Sequence, residues 1–150
     1  MFTKEGFTLR AAGIIVYMGL LFCLTCTENL QALLNNHILI FKLDREPDFG
    51  SFFNFTDYPF KSPAYIQQKL SHALCFFWLA FTYKWVFRKL STVFIYSVCF
   101  AFFTEVAQLF FSRTGSLLDV AYDTVGVIVF ITLFVVGRVT NSNKSLNSYT

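Results

Sequence analysis

Apolar positions gather into four long runs separated by short polar breaks. The first, AAGIIVYMGLLFCLTCT over residues 11–27, follows Lys4 and Arg10 and just reaches the length that a helix needs to cross a hydrocarbon core. No A-x-A-like cleavage site follows it, so it reads as an uncleaved signal-anchor. The second, KLSHALCFFWLAFTYKWVF over 69–87, is closed by Lys84, Arg88 and Lys89 and carries Trp78, Tyr83 and Trp85, residues suited to a membrane interface. The third, STVFIYSVCFAFFTEVAQLFF, covers 91–111, and after the tight SRTGS connection a fourth runs from Leu117 to Val136. This pattern predicts an all-α polytopic membrane protein with four transmembrane helices. Between the first two runs, ENLQALLNNHILIFKLD reads as an interfacial helix, and DREPDFGSFFNFTDYPFKSP, with three prolines and no period, reads as an external loop. The organisation expected is an N-terminal anchor and loop over 1–67, a helical core over 68–136 and a polar, disordered cytoplasmic tail over 137–150.

Composition strengthens the membrane assignment: 55% of the 150 residues are hydrophobic, 20% are aromatic, 21 are Phe, and only 14% are charged. The net charge of +3 comes without any basic block, which argues against a nucleic-acid partner. Cys23, Cys26, Cys75 and Cys99 all lie inside apolar runs, and Cys23-x-x-Cys26 has no second pair at metal spacing, so the cysteines read as packing residues. His37 reads as a surface residue.

Orientation follows from the basic residues. With the N-terminus inside, Lys4, Arg10, Lys84, Arg88, Lys89, Arg138 and Lys144 are cytoplasmic, against Lys42, Arg45, Lys61, Lys69 and Arg113 outside, a bias of seven to five. An N-in, C-in protein of the bacterial cytoplasmic membrane is expected. That topology brings polar residues of three spans to the level of the outer leaflet. Lys69 and His72 begin the second span, Glu105 and Gln108 fall in the last turns of the third with Arg113 just beyond, and Asp119 and Asp123 begin the fourth. Glu105 and Asp123 each lie roughly 9 Å from the outer end of their helix. The spacings i,i+3 or i,i+4 put each pair on one helix face, and Gly126 offers a close-packing point just below the acids. Ionisable residues at this depth face a bundle interior and mark a candidate site.

These residues resemble the VanZ-like membrane proteins, a family named for a protein associated with low-level teicoplanin resistance. The matching motifs are K-L-S-H at Lys69 to His72, E-V-A-Q at Glu105 to Gln108, Arg113, and D-V-A-Y-D-T-V-G at Asp119 to Gly126. The match covers residues 68 to about 135, and its specificity lies in order and spacing together. Gln68 stands where the family often has an acid, Phe111-Ser112 where it has Pro-Gly, and Phe130 where it has a second small residue. The resemblance implies a bacterial envelope protein, linked to glycopeptide tolerance or to the handling of envelope lipids and polymers. It does not imply a reaction.

The polar constellation admits three uses. In the preferred one, Lys69, His72 and Arg113 bind an anionic headgroup such as a lipid-linked envelope precursor, with Arg113 forking onto two oxygens. The alternative is an intramembrane enzyme acting on a lipid-linked phosphoester, with His72 as acid/base and Glu105, Asp119 and Asp123 around a divalent cation, a cofactor that this chemistry admits but does not require. In the third, the cations merely neutralise the acids and staple the helices. Against it, buried ion pairs are a poor source of stability compared with apolar packing.

Overall fold

The computed structural model describes residues 4–28, 33, 35–56, 58–111 and 113–147. Among them every regular element is helical: α1 (Lys4–Cys26), a short α2 (Phe49–Phe52), α3 (Pro63–Val86), α4 (Leu90–Phe110) and α5 (Leu117–Asn147). Three stretches are long and apolar enough to cross a membrane, namely Glu5–Cys26, Leu90–Phe110 and Leu117–Ser142. Helix α3 has 24 residues and so spans about 36 Å, but Gln67, Gln68, Lys69, Ser71 and His72 in its first half lower its hydropathy below that of the others.

Three of the helices begin for a local reason. Pro63 sits in the first turn of α3, where its missing N–H costs nothing. Ser116 caps α5, its Oγ accepting from the Leu118 N–H at 3.0 Å. Asp48 does the same for α2, accepting from Gly50 and Ser51.

The long helices alternate in direction. Contacts from Lys69–Asp119 through Phe77–Phe130 to Lys84–Phe134 show α3 and α5 running parallel over most of the length of α3, and α4, joined to each by a short connection, runs antiparallel to both. Helix α1 is antiparallel to α3: Arg10 donates to the Trp85 carbonyl near one end, and the Tyr17 hydroxyl donates to the Cys75 carbonyl nearer the other. Phe76, Leu79, Ala80, Val93, Ala101 and Val127 fill the centre with almost no exposure. The outer faces carry exposed Ile15, Leu20, Leu70, Leu74, Ile95, Phe103, Ile128 and Leu133. Polar side chains inside and large apolar ones outside invert the pattern of a water-soluble bundle.

Three sequence expectations are corrected. Residues 37–44 form no helix; the chain reverses at His37, whose φ is 56°, and returns so that Ile40 O accepts from both the Glu28 N–H and the Thr27 hydroxyl just past the end of α1. Of the rest of the expected interfacial helix, residues 33, 35 and 36 are helical, and 29–32 and 34 lie outside the described residues. Helix α5 does not stop at Val136 but continues to Asn147, since 137–147 contains no proline and its polar residues each oppose helix by less than about 1 kcal/mol. The last three residues of the expected tail lie outside the description. Helix α3 starts at Pro63, two turns before the expected Lys69.

Candidate functional site

The connections at the end of the bundle that holds the α4–α5 turn bring the polar residues of three helices together. The α4–α5 turn folds back on α4: the N–H groups of Phe111 and Arg113 both donate to Gln108 O, at 3.0 and 3.1 Å. Gly115 makes this reversal feasible, because a Cβ there would run into the carbonyl of Glu105. The fold-back aims the Ser116 N–H at Oε2 of Glu105 (3.0 Å), while Gln108 donates from Nε2 to Oε1 (2.6 Å). Glu105 is fully buried and held at both oxygens.

Lys69 and Asp119 are both buried and form an ion pair, Nζ to Oδ1, at 2.6 Å. The ammonium also lies 4.9 Å from the centre of the Tyr65 ring, a cation–π contact. One turn further along, His72 Nδ1 lies 3.6 Å from Oδ1 of the fully buried Asp123. Gly126 then lets α5 press against α3, since a Cβ there would collide with the backbone of Ala73.

Arg113 is half-buried and donates from Nη1 to the Thr27 carbonyl at 2.8 Å, bracing the exit of α1. This bond is not the neutralising contact with an acid that the stapling use of the cluster implies for Arg113. Beside Arg113 lies a cavity of about 320 Å³ lined by Lys69, Gln108, Ser116 and Asp119 from the helical core and by Asn54 and Tyr58 from the α1–α3 loop. That loop is fastened over the end of the bundle: Asp44 N–H donates to Phe110 O (2.8 Å), Tyr58 OH donates to Ser116 Oγ (2.7 Å), and Phe49 and Phe52 stack on Phe110 and Phe102.

Charge balance in the cluster rests on His72 as well as on Lys69. One buried lysine stands among three buried carboxylates, and it is committed to Asp119. Both oxygens of Asp123, and Nδ1 of His72, receive no hydrogen bond from any described group. The helix-stapling reading accounts for Lys69 with Asp119 and, for a protonated His72, pairs it with Asp123, but it supplies no hydrogen bond to either Asp123 oxygen. The cysteines are free thiols.

Ser116 is not among the candidate residues that the sequence singles out. The structure gives it three tasks: it caps α5, accepts from Tyr58 and presents its N–H to Glu105. Its signal was present as Ser116-x-x-Asp119, an N-terminal capping pattern. Tyr58 and Asn54 carried no signal, because only the fold of the loop brings them to the cavity.

A protein of Bacillus subtilis (strain 168) described as "Uncharacterized membrane protein YwnJ" is 35% identical over 114 residues, which cover 75% of this chain and 81% of the relative. No solved structure matches the chain. The model of the VanZ/LLP1 family matches residues 14–138, which takes in all of α3 and α4, the greater part of α1 and α5, and every polar residue gathered at the α4–α5 turn, and the chain accordingly belongs to the VanZ/LLP1 family of membrane proteins.

Proposed function

We propose that this protein crosses the bacterial cytoplasmic membrane four times, N-in and C-in, and binds the phosphate-bearing headgroup of an envelope lipid or lipid-linked precursor in the cavity beneath its first loop. Tolerance of teicoplanin would follow from occupying or diverting that lipid. The observation that carries the reading is the cavity itself: about 320 Å³, with Lys69 and Arg113 both in its lining. This volume, at the small end of ligand sites, suits a headgroup rather than a whole glycan. Arg113 commits one of its five N–H donors to Thr27 O, and a guanidinium fork matches two phosphate oxygens. Asp119 orients Lys69 from one side, and the ammonium has three donors to distribute. Tyr58 and Asn54 supply polar partners from the loop.

The test is thermal unfolding in detergent with a polyprenyl phosphate or with the same polyprenol lacking phosphate. Only the phosphate should raise the melting temperature, since a ligand stabilises the state it binds. Arg113→Lys should keep the ligand-free melting temperature, because an ammonium can still donate to Thr27 O, yet lose most of the phosphate-dependent rise. Equal responses to both lipids, or identical responses of wild type and variant, reject the proposal. Teicoplanin inhibitory concentration, with and without expression, measures the physiological claim separately.

A further inference from the structure

One helical turn deeper than the cavity, three side chains on three helices converge. His72 of α3, Glu105 of α4 and Asp123 of α5 each place one ligating atom within 4.8 Å of the other two. Glu105 and Asp123 are fully buried. Neither Asp123 oxygen, nor Nδ1 of His72, has a hydrogen-bond partner among the described residues. A sealed carboxylate with no donor on either oxygen is among the costliest arrangements in a protein interior, and it calls for a partner of another kind.

Distance and charge narrow that partner. The separation of His72 Nδ1 from Asp123 Oδ1, 3.6 Å, is beyond hydrogen-bond reach. For this pair that is close to the ~3.3 Å edge of a tetrahedron whose centre is ~2.0–2.1 Å from each ligand atom, while the wider separations, up to 4.8 Å, would have to close around an ion. Lys69 is taken by Asp119, which leaves Glu105 and Asp123 as two carboxylates facing a histidine, and one dication neutralises both. An imidazole in the ligand set favours zinc-class transition ions over Mg²⁺ and Ca²⁺, whose sites are built from oxygen. Glu105 is already oriented as ligands usually are, its oxygens held by Gln108 and by the Ser116 N–H. Each of those oxygens keeps a further lone pair.

We infer that His72, Glu105 and Asp123 bind a single divalent transition-metal ion of the zinc class within the helical bundle. Asp119 is not a ligand, being spent on Lys69, so the set differs from a ring of three acids. A four-coordinate ion there would take a water or another oxygen as its fourth ligand. The site stands whether or not the cavity above it takes a lipid phosphate.

The protein, purified without an affinity tag, is stripped with chelator, dialysed against Zn²⁺ or Co²⁺ in the absence of lipid phosphate, and assayed for metal content, melting temperature and Co²⁺ absorption. One equivalent per chain is expected, with a raised melting temperature and cobalt ligand-field bands free of thiolate charge transfer. Asp123→Asn and Glu105→Gln should each lose most of the bound metal, whereas His37→Ala, altered at the exposed histidine far along the chain, should keep it. Retention of the full equivalent by both carboxamide variants overturns the site. Where a variant fails to fold, the wild-type cobalt spectrum decides alone: nitrogen–oxygen bands support the site, and thiolate bands or no bands overturn it. Because no lipid phosphate is present, failure here leaves the headgroup reading to its own test.

Discussion

Gly126 sets how closely α3 and α5 approach each other. It lies one turn below Asp123 on α5, and the backbone of Ala73 occupies the space where its Cβ would be. Adding that methyl forces α3 and α5 apart at the level of the His72–Asp123 contact. Gly126→Ala should therefore destabilise the protein by about 1–3 kcal/mol, the usual cost of overpacking. Gly137 on the same helix has nothing within 4 Å of the equivalent position. Gly137→Ala should be neutral or stabilising by up to ~1 kcal/mol, through helix propensity alone. Reversible unfolding of the two variants in the same detergent checks the contrast, and equal effects would show that close helix contact at Gly126 is unimportant. The acids are different in kind: their positions are held by specific donors around Glu105 and by none around Asp123, so stability and binding should respond separately to substitution there.

The turn from α4 into α5 is the element on which the polar groups depend. Ser116 ends that turn and begins the helix, and Ser116→Ala removes both the Leu118 cap and the acceptor for Tyr58. A loss of about 1–2 kcal/mol is expected from the cap. Faster amide exchange around Tyr58 should accompany it, and Ser116→Thr should recover most of the stability. Unchanged exchange in that loop would mean that the Tyr58 bond does not hold it down. This turn also shows what a sequence can and cannot reveal. Residues spaced at i,i+3 and i,i+4 declare a shared helix face, so Lys69 with His72 and Asp119 with Asp123 could be read as pairs facing one way. Which member meets which depends on helix register, set by Gly126 against Ala73 and by Gly115 against Glu105. The apolar runs were legible as helices because their composition favours little else, and the family was legible from ordered motifs. The loop over 37–60 was not legible, because its placement rests on Phe41, Phe49 and Phe52 meeting Phe111, Phe110 and Phe102, contacts between distant segments with no local pattern. The continuation of α5 to Asn147 escaped notice because apolarity marks a membrane limit rather than a helix limit.

The arrangement of the entire chain across the bilayer turns on α3. Judged by hydropathy it falls short of the other three long helices, yet hydropathy counts Lys69 as if lipid surrounded it. Lys69 is 8% exposed and paired with Asp119, and the residues that α3 turns outward include Ile66, Leu70, Leu74 and Trp78. Helix α3 runs beside α5 from Lys69–Asp119 to Lys84–Phe134. If α4 and α5 cross the hydrocarbon, α3 lies within the same slab. Its two ends can be tested directly in a variant lacking the four native cysteines. Glu46→Cys and Arg88→Cys flank α3, and both positions are exposed. In intact cells a membrane-impermeant thiol reagent should label the cysteine at position 46, while that at 88 should react only after permeabilisation. Labelling of both on one side would remove α3 from the spans and leave three. The reverse pattern would keep four spans but turn the polar end toward the cytoplasm, where the lipid-linked precursors reaching the cavity would be those not yet exported, and the excess of basic residues around Arg10, Lys84 and Arg88 would then face outward against the usual bias.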